Sequence, residues 1–194
     1  MLEEIILIGG GGHCTAVIDV IELAGIYKVA GIVDKTDTSQ TLDYPYLGDD
    51  TLLPTLRSSY TKAFITVGQL KTPDVRIRLF DMLNELKFSL PVLISPRGYV
   101  SHNSKIADGT IIMHDVLVNS RAIIGRNCII NSKALIEHDA VIEDNCHIST
   151  GTIINGGSIV KTGTFVGSNS VTKEYSITKE NDFIKAGSMF RGYR

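Results

Sequence analysis

Residues 122–148 read Ala122-Ile-Ile-Gly-Arg-Asn-Cys-Ile-Ile130-Asn-Ser-Lys-Ala-Leu-Ile136-Glu-His-Asp-Ala-Val-Ile142-Glu-Asp-Asn-Cys-His-Ile148. Isoleucine returns every six residues, a period that neither a helix nor an alternating strand produces. Followed in both directions, this register of Ile and Val runs without a slip from Val100 to Val166. Four residues beyond each member stands a compact side chain, from Ser104 through Cys128, Ala134, Ala140 and Cys146 to Ser170. Two locked registers at a period of six are the signature of a parallel β-helix made of hexapeptides. A sandwich of ordinary strands would lose register over such a length. The repeat is expected to end near residue 172, leaving a partial coil and a tail.

The first half is written differently. Glu4–Ile8 is a short apolar run that ends in Gly9-Gly10-Gly11-Gly12, and Thr15–Ala24 carries apolar residues at helical spacing, closed by Gly25. Lys28–Val33 and Ala63–Val67 read as further strands, ending at Asp34 and Gly68, and Pro73 is placed to open another helix. Strand, turn, helix and strand in this order predict a small parallel α/β unit. The fold class expected is thus an α/β, Rossmann-like domain over residues 1–95, followed by an all-β parallel β-helix over residues 96–194.

Composition narrows the function classes. Lys and Arg number 19 against 21 Asp and Glu, so no nucleic-acid surface is indicated. No apolar run is long enough to span a bilayer. The start, Met-Leu-Glu-Glu, is acidic and does not read as a signal peptide. The 3 cysteines lack metal-site spacing. The expectation is a cytoplasmic protein with no nucleic-acid, membrane or metal partner.

Glu137, His138 and Asp139 interrupt the apolar registers just after the inward residue Ile136, where polar groups can reach solvent. Small residues, Ser120 and Gly156, stand three hexapeptides (18 residues) before and after His138, and in coils of that length they would leave room around it. Imidazole suits proton abstraction near neutral pH, and an adjacent carboxylate can fix its tautomer. On spacing alone the plainer reading is a solvated histidine between solvated acids; the sharper one is a general base. His147 takes a slot that is apolar in most other repeats, so it reads either as a wall residue or as part of a site. In the first half, Gly9 and Gly11 match the first two glycines of a dinucleotide fingerprint, but Cys14 stands where the third belongs. With only three clear strands the domain favours a mononucleotide or nucleotide-sugar over NAD. Asp34 is placed to accept from a ribose or a base.

The segments Asn131-Ser-Lys-Ala-Leu-Ile-Glu-His-Asp139, Cys146-His-Ile-Ser-Thr-Gly151 and Asn155-Gly-Gly157, together with Gly9-Gly-Gly-Gly-His13 and Asp34, resemble the PglD/NeuD family of bacterial sugar acetyltransferases. The resemblance implies a left-handed, triangular β-helix of about four coils, each of three hexapeptides. It implies acetyl-CoA as cosubstrate and a homotrimer with active sites between subunits. His138 would be the general base, Asp139 its orienting acid, and Asn131 and Glu137 would line the acceptor site. His147 and the Gly156 N–H would lie by the thioester carbonyl. The turn Gly9, Gly10, Gly11, Gly12 and His13, with Asp34, would bind the nucleotide of the acceptor. The activity implied is N-acetylation of a nucleotide-linked 4-amino-4,6-dideoxy sugar, with a UDP-sugar favoured. O-acetylation of a sialic-acid-like sugar is the alternative, and a non-catalytic nucleotide-sugar-binding trimer the remote one. Two departures stand out: Cys14 replaces a glycine, and Ala186-Gly-Ser-Met-Phe-Arg191 lacks the proline of the family's C-terminal segment.

Overall fold

A computed structural model describes residues 2–38 and 42–193. Its contacts divide the chain into two compact units, Met1–Gly68 with Val75–Pro91, and Gln69–Asp74 with Val92–Arg194.

The first unit is built on three parallel strands, β1 (Glu3–Ile8), β2 (Tyr27–Val33) and β3 (Lys62–Ile65), in the spatial order β2-β1-β3. Central β1 is apolar on both faces, Ile5 to Ile8 being at most 1% exposed, as a strand covered on both sides must be. Helix α1 (Gly12–Ala24) buries Cys14, Val17, Ile18, Val20 and Ile21. It ends at Gly25, whose left-handed backbone (φ 62) turns its N–H onto the Ile21 carbonyl at 3.0 Å. A short helix, α2 (Leu53–Leu56), precedes β3, and α3 (Asp74–Glu85) follows Pro73. Arg76 is buried on α3 and donates to the carbonyls of Ile65, the last residue of β3, and of Val67, so its charge is answered inside the unit.

The second unit is a left-handed parallel β-helix. Two-residue strands stack 18 residues apart in three sheets of six, six and four strands. A first face begins at Leu93–Ile94, a second at Tyr99–Val100 and a third at Lys105–Ile106. The six-residue register is the interior: from Ile112 to Val166 its members are at most 1% exposed. Its compact companions, from Val116 to Ser170, are equally buried. Cys128 and Cys146 stack there as free thiols, the Cys146 N–H lying 3.4 Å from the Cys128 sulfur.

The coil is longer than the apolar pattern suggests. It begins at Leu93–Ile94, and Val171–Thr172, Phe183–Ile184 and Met189–Phe190 still pair with the coils before them, giving about five turns rather than four. The interior register passes through Thr172 and Thr178, which are 1% and 4% exposed. Threonine has the branched shape of valine, and its hydroxyl needs a partner when buried. Here the Thr172 hydroxyl accepts from Asn155 N–H and that of Thr178 from Lys161 N–H. The stretch 186–191, which lacks the family's proline, supplies the last strand of the second face.

A third register shapes the corners. Every sixth residue from Gly109 to Gly187 has a positive φ. This left-handed residue reverses the chain between faces, and Asn, Asp or Gly fills most of the positions, the residues that tolerate it best. Asp139 is one of them, with φ 59.

Candidate active site

The corner between the second and third faces carries the polar triplet. His138 follows the strand Leu135–Ile136 and precedes Val141–Ile142. Its Nδ1 lies 2.7 Å from Asp139 Oδ2; a carboxylate only accepts, so Nδ1 carries the proton and Nε2 of the neutral ring is bare. The His138 side chain is 54% exposed. Asp139 also takes a fork from Arg121, Nε to Oδ1 at 2.6 Å and Nη2 to Oδ2 at 2.8 Å. The Arg121 hydrogen bonds, and then that of His138, hold the Asp139 carboxyl well below the usual carboxylate range. Glu137 accepts from Asn119 Nδ2 at 2.9 Å and from the His138 N–H, which pins the start of the corner.

Gly156 lies one coil on. A Cβ built there would stand 2.9 Å from His138 Cε1 and 3.0 Å from Nε2, so the imidazole can rest here only because residue 156 has no side chain. At equivalent corners the preceding side chain takes the N–H, as Asn119 does for Ser120 and Asn131 for Ser132. Asn155 instead turns its amide to the Thr172 carbonyl. The Gly156 N–H is left with no acceptor among the described residues.

Asn131 and His147 are not brought to this corner within one chain. Asn131 lies at the other end of the strand Leu135–Ile136, between the first and second faces. Its Nδ2 is 3.3 Å from His147 Nε2, while its Oδ1 takes the Ser132 N–H. His147 begins a strand of the first face, is 7% exposed, and packs edge-on against Phe165. Its Nδ1 meets the Gln69 carbonyl at 2.6 Å, and Gln69 is itself buried and donates to the Gly163 carbonyl. A carbonyl only accepts, so Nδ1 carries the proton; the neutral ring then offers Nε2 to the Asn131 amide and has no N–H left for a ligand.

In the first unit, a cleft of about 190 Å³ opens at the C-terminal ends of the strands, lined by Gly9, Val33, Asp34, Lys35, Val67 and Arg78 among others. Ligands of open α/β sheets bind at this edge, where the strand order reverses. Of the four glycines, two are required by the protein itself: Gly9 has φ 108 and would clash with Val67, and a Cβ on Gly10 would strike Thr38. Gly11 and Gly12 face nothing within 4 Å, and they open α1 with N–H groups that have no acceptor among the described residues. Asp34 serves the turn directly, its Oδ2 accepting from Gly10 N–H at 2.6 Å and its Oδ1 from Thr36 N–H at 3.2 Å. His13 is half-buried beside Gly68. Cys14 is buried under the turn, where burial pushes its thiol up to about 11.

Among the described residues no group of three or more His, Cys, Asp or Glu is placed to hold a metal ion, and no helix is long and apolar enough to cross a membrane. Sequence reasoning missed Arg121, Asn119 and Gln69. The first two stand 18 residues before Asp139 and Glu137, so stepping back one coil finds them; no period links Gln69 to His147.

Residues 4–83 match the family model of the PglD N-terminal domain. Comparison with curated protein sequences finds no match. Among solved structures the chain is similar to the acetyltransferase domain of PglB from Neisseria gonorrhoeae in complex with acetyl coenzyme A, at TM-score 0.90 and 23% identity over 96% of this chain and 90% of that one. It is also similar to a histidine-to-asparagine variant of perosamine N-acetyltransferase from Caulobacter crescentus in complex with CoA and GDP-perosamine, at TM-score 0.70 and 26% identity over 95% of this chain and 92% of that one. A PglD-type N-terminal domain followed by a hexapeptide β-helix is the arrangement this chain shares, over almost its whole length, with acetyltransferases of solved structure.

Proposed function

We propose that the protein transfers the acetyl group of acetyl-CoA to the amine of a nucleotide-linked 4-amino-4,6-dideoxy sugar, by direct attack with His138 as general base. The observation that carries this reading is the corner itself: an imidazole fixed through Nδ1 by Asp139, with a bare Nε2, resting on a glycine whose N–H is open. Nε2 takes the proton as the amine nitrogen attacks the thioester carbonyl. The Gly156 N–H receives the developing oxyanion. Collapse expels the CoA thiolate, which recovers the proton from the imidazolium. His147, with its proton on Gln69, is assigned to holding the first face and Asn131 rather than to the oxyanion.

The nucleotide is assigned to the first unit. The open N–H groups of Gly11 and Gly12 at the start of α1 suit a phosphate, and the adjoining cleft suits the rest of a nucleotide. Asp34 contributes by shaping the turn. The UDP-sugar is the acceptor expected from the family resemblance, while the C. crescentus relatives hold GDP-perosamine.

The active form is read as a homotrimer with sites between subunits. Outward positions on the second face run Tyr99, Leu117, Leu135, Ile153, Val171 and Met189, and the third face carries Ile123, Val141, Ile159 and Ile177. Tyr99 and Met189 are 59% and 57% exposed in the single chain, an apolar wall that association with further copies would cover. Asn131 and His138, a face apart in one chain, would then meet through a neighbour.

The test is release of free thiol from acetyl-CoA with UDP-, GDP- and dTDP-linked 4-amino sugars and free sialic acid offered separately. Release with one nucleotide-linked amino sugar is expected and names the acceptor. Release with sialic acid alone would replace N- by O-acetylation, and silence with all four would remove this acceptor class.

A further inference from the structure

Arg121 is oddly placed for an arginine. In the corner register of positive φ, five positions are glycine, four asparagine and two aspartate, and Arg121, with φ 61, is one of three exceptions beside Lys133 and Tyr175. Left-handed backbone crowds the Cβ of an L-residue. Arg121 alone of the three makes a two-bond fork on a carboxylate, that of Asp139, whose Oδ2 also meets His138 Nδ1 at 2.7 Å. A like fork across one coil joins Arg97 to Asp115, while Arg126 sets both Nε and Nη2 on the single Oδ2 of Asp144. In neither of those pairs does the arginine have a positive φ.

We propose that Arg121 is a positioning residue for the His138–Asp139 pair. Its planar fork fixes the rotation of the Asp139 carboxylate, so that Oδ2 stays on Nδ1 and His138 keeps the tautomer with Nε2 bare. Without the fork, a carboxylate on an exposed corner turns toward water and the imidazole loses its orientation. Arg121 touches no substrate in this role and acts only through Asp139. The inference rests on the reading of His138 as base.

Arg121→Gly is the informative variant, because glycine adopts φ 61 without strain and the corner folds at least as well. The expected result is a fall in kcat of about tenfold, with both KM values within about twofold and an unchanged or higher thermal midpoint. In an Asp139→Asn background the same change should lower the residual rate by less than about twofold, since no carboxylate remains to be positioned. Arg121→Lys, which keeps the charge but lacks the fork, should stay impaired. Wild-type kcat in Arg121→Gly overturns the proposal. An undiminished loss in the Asp139→Asn background, or full recovery with lysine, overturns it equally. His138→Ala separates the two ideas: near-normal turnover there removes the base itself, whereas an inactive His138→Ala beside an unimpaired Arg121→Gly removes only the role of Arg121.

Discussion

His138 and His147 sit nine residues apart in the chain and on the same prism, yet their surroundings make them different chemical objects. His138 is more than half exposed, bound at one nitrogen by a carboxylate, and laid over a glycine. His147 is 7% exposed and engaged at both nitrogens by a backbone carbonyl and a side-chain amide. A base needs a lone pair that substrate can reach; a strut needs its polar atoms answered inside the protein. The difference comes from the groups that surround each ring, next in the chain, one coil away or on a crossing segment, and not from the histidines themselves.

The largest effect expected on this contrast is that of His138→Ala. Turnover should fall by about 10²–10⁴-fold, while the assembly and acetyl-CoA binding persist. Steady-state kinetics with size-exclusion chromatography checks this, and near-normal turnover would erase the contrast from the His138 side.

Gly156→Ala comes next. The added methyl would press on the imidazole at 2.9–3.0 Å and displace it. A fall in kcat of about tenfold or more is expected, because small displacements of a base are expensive. Little change in thermal midpoint should accompany it, since His138 lies on an exposed corner where the ring can move aside. Unchanged kcat would mean that the ring need not rest where it does.

The smallest effect on rate is expected from His147→Phe. Phe165 and Phe183 already fill the same slot one and two coils on, so the shape is tolerated. Activity should stay within a few-fold, while stability drops by about 1–3 kcal/mol from the unanswered Gln69 carbonyl. Thermal melts and initial rates separate the two. A loss of turnover as deep as that of His138→Ala would bring His147 back to the thioester and break the comparison.

Much of this was legible in the residues, and the illegible parts share a cause. Ile124, Ile130, Ile136, Ile142 and Ile148 announce the coil because the interior of each face admits one branched side chain per hexapeptide. The pattern fails at Thr172 and Thr178, where a hydroxyl bound inside the protein lets a polar residue hold an apolar position. The positive-φ register is hard to read because Arg121, Lys133 and Tyr175 interrupt its Asn, Asp and Gly. At the site, the adjacency of His138 and Asp139 is visible in sequence. Arg121 requires stepping back one coil, and Gln69, 78 residues from His147, requires the folded chain.

The sequence alone determined the period, the inward register, the small α/β unit before it and the place of the polar triplet just after an inward residue. Each follows from local spacing and from the volume a buried side chain must fill. The tertiary structure alone decided which histidine keeps an open nitrogen, which glycine leaves its N–H free, and that Asp34 braces its own turn. Hydrogen-bond partners depend on groups that distant segments bring within about 3 Å, and no local pattern encodes them.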